Sequence, residues 1–92
     1  MAQSPLRLIT ISSILRSPEF ALGIATYEMG LPLGSDIREG WAQQWCFERG
    51  RLFAIYCKHR GIKVPRLMNG PGQPNGVAVQ IYKQGRADGY II

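Results

Sequence analysis

The chain has 92 residues and an apolar fraction of 46%, enough for one small domain with a core but little margin. No apolar run approaches the length of a membrane span, and the first residues lack the basic, apolar, small-residue order of a secretory signal. These features argue against a membrane protein and against a disulfide-built secreted scaffold, and the expectation is a soluble, cytoplasmic domain.

The formal charge of +5 is unevenly distributed. Residues 1–50 carry Arg7, Arg16, Arg38 and Arg49 against five acids. Residues 51–92 carry Arg51, Lys58, Arg60, Lys63, Arg66, Lys83 and Arg86 against Asp88 alone. Such asymmetry points to a face that meets a polyanion or an acidic protein, with a plain solvated surface as the alternative.

In chain order, Met1–Pro5 read as a frayed end. The β-branched run Leu6–Ile11 reads as a strand. Ser12–Arg16 is ambiguous, with Ile14 and Leu15 directed inward. Ser17-Pro18-Glu19 is a helix start, combining a hydroxyl cap, proline at the first helical position and an acid in the first turn. That helix is expected to stop at Met29, because Gly30 accepts a left-handed conformation and Pro32 cannot continue the ladder.

Phe20, Ile24 and Tyr27 line one side of this first helix, with Gly23 beside them. Glycine inside a helix costs about 1 kcal/mol against alanine, so Gly23 calls for a reason. Gly50 occupies a similar place further on, among Cys46, Phe53 and Cys57. The inference is a helical hairpin whose two members cross closely at Gly23 and Gly50. The short connection Leu31–Ser35 fits antiparallel neighbours, and Asp36 with Glu39 resembles a capping box opening the second helix. Gly40 weakens its first turn.

That second helix carries a wide apolar arc. Stepping about 100° per residue from Trp41, the first 60° or so holds Trp41, Leu52, Trp45 and Tyr56. Ala42, Phe53, Cys46, Cys57 and Gly50 extend the arc to roughly 180°. A stripe of about 100° satisfies one neighbour, so this helix is expected to contact two and to form the core. Lys58, His59 and Arg60 suit its negative end, and Gly61 stops it. Glu28 and Arg49 each interrupt an apolar arc, so the two are expected to pair across the hairpin. Cys46 and Cys57 lie about 16 Å apart along one helix, too far to bridge, and read as buried thiols.

After Ile62–Arg66, the stretch Asn69–Gly76 has turn and loop chemistry and is expected to be the mobile element. Val77–Tyr82 alternates and reads as a strand, Lys83–Arg86 as a turn, and Ala87–Ile92 as the returning strand. A lone hairpin is marginal in water, so it is expected to join Leu6–Ile11 and to pack on Trp41, Trp45 and Leu52. The expected architecture is α+β: a helical hairpin on an antiparallel sheet of about three strands, all in one domain.

Catalytic patterns do not emerge. His59 is the single histidine, without cysteine or acid at ligand spacing, so no metal site is expected. Cys57 points elsewhere on its helix than His59, which argues against a nucleophile–base pair. Gly70, Gly72 and Gly76 lack the Lys-Ser/Thr and following helix of a phosphate-binding loop, and the acids form no dyad. A non-enzymatic protein without a cofactor is expected. The candidate binding residues are Arg51, Lys58, His59, Arg60, Lys63, Arg66, Lys83 and Arg86. Arginine outnumbers lysine eight to three, which suits phosphate or carboxylate, and Tyr82 and Tyr90 offer stacking faces.

The pattern Phe20-x-x-Gly23…Tyr27-x-x-Gly30-x-Pro32…Trp45-x-x-Glu48-Arg49-Gly50-Arg51-x-Phe53-Ala54 resembles that of small phage and bacterial mobile-element proteins. It is similar, more distantly, to ribosome modulation factor, which also has two glycines seven apart on one helix and a tryptophan shortly before a glycine on the next. The resemblance covers residues 18–54; the N-terminal run, the long loop and the C-terminal segment lie outside it. It implies a helical hairpin in a small protein that acts on a host machine in the host cytoplasm. The reading is a basic binding protein for a host nucleic acid, a ribonucleoprotein or an acidic protein surface, for example an anti-CRISPR-type inhibitor. The alternatives are a ribosome-associated modulation factor and a structural or oligomerisation module.

Overall fold

A computed structural model of the chain describes residues 10–31 and 40–92. Four helices and a two-stranded antiparallel sheet are present among these residues: α1 (Ile11–Arg16), α2 (Pro18–Glu28), α3 (Trp41–Arg60), β1 (Met68–Gly70), β2 (Gln73–Pro74) and α4 (Gly76–Ala87). The mixed helix-and-sheet class holds, but the sheet is smaller than expected and stands elsewhere.

Helix α2 follows its sequence signals. The Ser17 hydroxyl accepts from the Glu19 backbone N–H, Pro18 opens the helix, and Gly30 takes a left-handed φ of +77°. Ser17 also closes α1, where its N–H donates to the Ile14 carbonyl oxygen at 3.1 Å. In α3 the last turn carries Lys58, His59 and Arg60, and Gly61 stops it in the left-handed conformation. Gly40 precedes α3 without a side-chain cap; the expected capping box at Asp36 and Glu39 lies outside the described residues.

The two helices touch backbone to backbone at their glycines. A methyl group on Gly23 would lie 2.9 Å from the Arg51 nitrogen and 3.1 Å from the Gly50 Cα, and would collide with the Phe47 carbonyl oxygen. A methyl group on Gly50 would collide with the Phe20 carbonyl oxygen. This close crossing packs Phe20 against Phe53, with ring centroids 5.3 Å apart, and Tyr82 of α4 stacks on Phe53 at 6.3 Å. Ile14, Leu15, Ile24, Cys57, Ala78 and Ile91 complete a common core. Cys46 and Cys57 are free and buried.

Five expectations are corrected. The run assigned as a strand at Leu6–Ile11 turns helical where it is described: Thr10 caps α1 in a reciprocal box with Ser13, and Ile11 is its first residue. Leu6–Ile9 lie outside the described residues. The ambiguous Ser12–Arg16 is this helix, and it buries Ile14 and Leu15 as expected.

The expected C-terminal hairpin is helix α4. Asn75 decides this, because its side-chain oxygen accepts from the N–H groups of Val77 and Ala78 and so starts a helix. The buried residues Ala78, Tyr82 and Gly85 then recur at intervals of four and three, whereas Val77 is 60% exposed. Gly89 at φ +83° turns the chain back, and Ile91 packs on Gly85. The Asn69–Gly76 stretch, read as turn and loop, holds most of the small sheet, with Met68 paired to Pro74 and Gly70 to Gln73.

The long helix buries Cys46, Phe47, Gly50, Phe53, Ala54, Tyr56 and Cys57, so its buried arc is rotated away from the tryptophans. Trp41 is 53% exposed and stacks on half-buried Trp45 at 6.1 Å. Neither packs on a C-terminal hairpin.

The Glu28–Arg49 pair is replaced as well. Glu28 is exposed, while Arg49 pairs with Glu48 at 3.2 Å, donates to the Ile92 carbonyl oxygen at 2.7 Å and lies 4.3 Å over the Trp45 ring. The reason is local: Glu48 and the Trp45 face sit within reach on the same helix, so a partner across the hairpin is not needed.

Two outcomes follow for stability. Helix propensity alone would make Gly50→Ala stabilising by about 1 kcal/mol; the backbone contact should reverse that sign and cost about 1–3 kcal/mol. Equal or higher stability in urea unfolding would refute the crossing. Asn75→Ala should cost about 1 kcal/mol through loss of the α4 cap, with a lower far-ultraviolet helical signal near the transition. An unchanged midpoint would mean the cap is not needed.

Candidate functional site

The candidate site lies where α3 ends. The Gly61 N–H donates to the Lys58 carbonyl oxygen and the Ile62 N–H to that of Cys57, both at 3.0 Å. This closure turns the chain into the extended segment that carries Lys63 and Arg66. Between this segment and the ends of α2 and α3 lies an open groove of about 710 Å³. Tyr27 and Glu28 reach it from α2, Lys58 from α3 and Lys63 from the exit segment. Buried Cys57 also lines it; burial, and secondarily the Glu28 carboxylate, push its thiol pKa up, which disfavours the reactive thiolate.

The eight expected binding residues separate into groups. Lys58 and Lys63 are exposed and line the one groove, and Arg66 is exposed three residues further on. Arg51 is half-buried; it donates to the Leu31 carbonyl oxygen at 2.9 Å and lies 5.7 Å over the Tyr27 ring, tying the end of α2 to α3.

Arg60 and His59 belong to a clasp between α3 and α4. The buried Tyr56 ring brings its hydroxyl to the protein edge, where it donates to Asp88 at 2.6 Å and accepts from Arg60 at 2.7 Å. Gln84 donates to the other Asp88 oxygen at 3.0 Å, and His59 packs on Tyr90 at 4.9 Å. The Tyr56 hydrogen bond, then that of Gln84, holds the Asp88 carboxyl below its ordinary value of 3.8. Burial of the ring, followed by the bond to Asp88, raises the Tyr56 phenol.

Lys83 and Arg86 lie on α4 rather than on a hairpin turn. At about 100° per residue Lys83 sits roughly 60° from Gln80 and 100° from Gln84, and Arg86 roughly 120° and 160° from them. Gln80 and Gln84 face the α3 end, sharing a small pocket with Arg60 and Ile62. Arg86 lies 5.6 Å over the Tyr82 ring. Neither Lys83 nor Arg86 lines the groove of Lys58 and Lys63.

The expected stacking faces also change. Tyr82 is 1% exposed, and its phenol is pushed up to about 12 by burial, so its ring is core. Tyr90 is occupied by His59 and Tyr56. The aromatic residue in the groove is Tyr27, which the sequence reading placed on the packed side of α2. Its position one turn before Gly30, at the helix end, was the available signal. Glu28, read as half of a buried pair, is an exposed acid of the same groove.

Among the described residues, no group of three or more His, Cys, Asp and Glu side chains is placed to hold a metal ion. No helix of the described residues is long and apolar enough to cross a membrane. Compared with known proteins, the chain matches no family model, no curated protein and no solved structure.

The clasp gives a pH dependence. Asp88 titrates below its ordinary value in the folded protein, so its contribution is complete above the ordinary carboxylate range and disappears as pH falls through the lowered native value. Stability curves of the parent and Asp88→Asn should thus differ near neutrality and converge in acid. Parallel curves over the whole carboxylate range would remove Asp88 from the pH response.

Proposed function

We propose that the chain is a non-enzymatic binding protein whose groove at the end of α3 seats a single-stranded nucleic-acid segment, free or within a ribonucleoprotein. The observation carrying this reading is that Tyr27, Lys58 and Lys63, from three separate parts of the chain, line one open groove. Single-stranded binders combine a cationic track for the backbone with an aromatic face on which a base stacks. The groove offers both elements, and a base on Tyr27 would share the ring with Arg51, which lies 5.7 Å over it. Exposed Arg66 extends the cationic track beyond Lys63.

Glu28 refines the reading. A carboxylate beside the lysines repels phosphate, so the phosphates follow the Lys58–Lys63 side, and Glu28 is left to accept hydrogen bonds from base amino groups or a 2′-hydroxyl. An anti-CRISPR-type inhibitor and a ribosome-associated factor are narrower forms of this proposal, distinguished by which host complex is captured.

Fluorescence anisotropy with a labelled single-stranded RNA tests it. Binding should weaken with salt, with a log–log slope of about −0.7 per phosphate contacted. Lys58→Ala with Lys63→Ala should flatten that slope by about 1.4 in total while leaving the unfolding midpoint nearly unchanged, since exposed charges contribute little to stability. Tyr27→Ala should weaken binding with the slope retained. Lys83→Ala and Arg86→Ala should have little effect. Salt-sensitive capture of a host complex that survives nuclease, with no RNA binding in isolation, would instead assign the groove to an acidic protein. Equal RNA binding by the variant lacking Lys58 and Lys63 would exclude the groove.

A further inference from the structure

The face of α3 opposite the glycine crossing points to self-association: we infer that two copies of this chain pair antiparallel through α3. At about 100° per residue, Trp41, Trp45, Glu48, Leu52 and Ile55 fall within some 80° of one another, on the side of the helix away from Gly50. Trp41 is 53% exposed, while Trp45, Leu52 and Ile55 are half-buried. A groove of about 320 Å³ lies beside Leu52 and Ile55, with Ile92, itself 78% exposed, on its edge and Glu48, Arg49 and Arg51 around it.

The occupant follows from the order of these features along the helix. An isologous interface requires a patch that complements itself across a two-fold axis. Trp45 and Ile55 lie five residues to either side of position 50, and Glu48 and Leu52 lie two to either side. With the axis at that level, Trp45 of one copy lies opposite Ile55 of the other, and the reverse, while Trp41 falls four residues further out, level with His59. Glu48 of each copy falls within one residue's rise of the second copy's Arg51, on the same flank of the helix pair. The patch thus carries a projecting aromatic end, a receiving apolar end and an acid–base pair between them. Tryptophan and arginine around a desolvated centre are the residue types that dominate interface energies. The pairing is argued separately from the nucleic-acid reading: the two grooves share no lining residue, and they are linked only through Arg51, which also lies over the Tyr27 ring.

Sedimentation equilibrium over a wide concentration range tests this pairing. The parent should approach twice the chain mass of 10.3 kDa. Ile55→Glu should shift the dissociation midpoint upward by at least tenfold with an unchanged circular dichroism spectrum. Glu48→Arg and Arg51→Glu should each be monomeric alone, because like charges then meet twice, and their equimolar mixture should recover the dimer. Arg51 also holds the Leu31 carbonyl, so should Arg51→Glu unfold, Ile55→Glu and Glu48→Arg alone decide the question. A parent that stays at 10.3 kDa at every concentration overturns the inference. So does a dimer that Ile55→Glu leaves intact.

Discussion

The rest of the fold depends on the absence of two side chains. At Gly23 and Gly50, the backbones of α2 and α3 come so close that a Cβ on either would collide with a carbonyl oxygen of the other helix. This proximity brings Phe20 onto Phe53 and leaves a shared apolar surface that α1 and α4 cover with Ile14, Leu15, Ala78 and Tyr82. It also fixes the relation between the end of α2 and the end of α3, where Tyr27 and Glu28 meet Lys58 and Lys63. The groove is thus a by-product of the crossing. A wider separation would keep both helices but lose the site.

Sequence signals were sufficient where a backbone requirement has a chemical signature. Ser17-Pro18-Glu19 starts α2, Gly61 stops α3, and the two costly helical glycines identify their contact. They were insufficient where two periodicities compete. Val77, Val79 and Ile81 alternate as a strand would, while Ala78, Tyr82 and Gly85 repeat as a helix does; the Asn75 cap favours the second pattern. Apolarity also misled at Trp41, because a wide arc on α3 does not say which part of the arc a neighbour covers. The Glu28–Arg49 pairing failed for a related reason. It assumed that both residues were buried: the Arg49 side chain largely is, but Glu48 and the Ile92 carbonyl satisfy it, whereas Glu28 at the edge of its arc reaches solvent.

Helix α3 consequently serves three surroundings at once. Its Gly50 side lies against α2, its Tyr56 and Arg60 join the clasp with α4, and its Trp41–Ile55 side meets solvent. Tyr56 links the first two roles: the ring is in the core, and the hydroxyl holds Asp88 just beyond the α4 C-terminus. That bond couples the angle of α4 to the last turn of α3. Disturbance of the clasp is therefore felt in the same turn that carries Lys58 to the groove.

The excess of arginine over lysine reads, in sequence, as a preference for bidentate phosphate contact. In the folded chain it has another explanation. Arg49 lies over Trp45, Arg51 over Tyr27, Arg60 over Tyr56 and Arg86 over Tyr82, so guanidinium groups stack on aromatic rings of the protein itself. Planar, weakly hydrated guanidinium favours that use. Lys58, Lys63 and Lys83 remain exposed to solvent instead. An ammonium group is a strongly hydrated point charge without a fixed fork, so it attracts a phosphate without imposing a geometry on it. Under the proposed function, a groove whose cations are lysines would follow a nucleic-acid backbone by charge and leave any discrimination among bases to Tyr27 and Glu28. The same reasoning divides the cations of this chain: Arg49, Arg51, Arg60 and Arg86 contact its own rings, while the groove lysines and Arg66 face solvent.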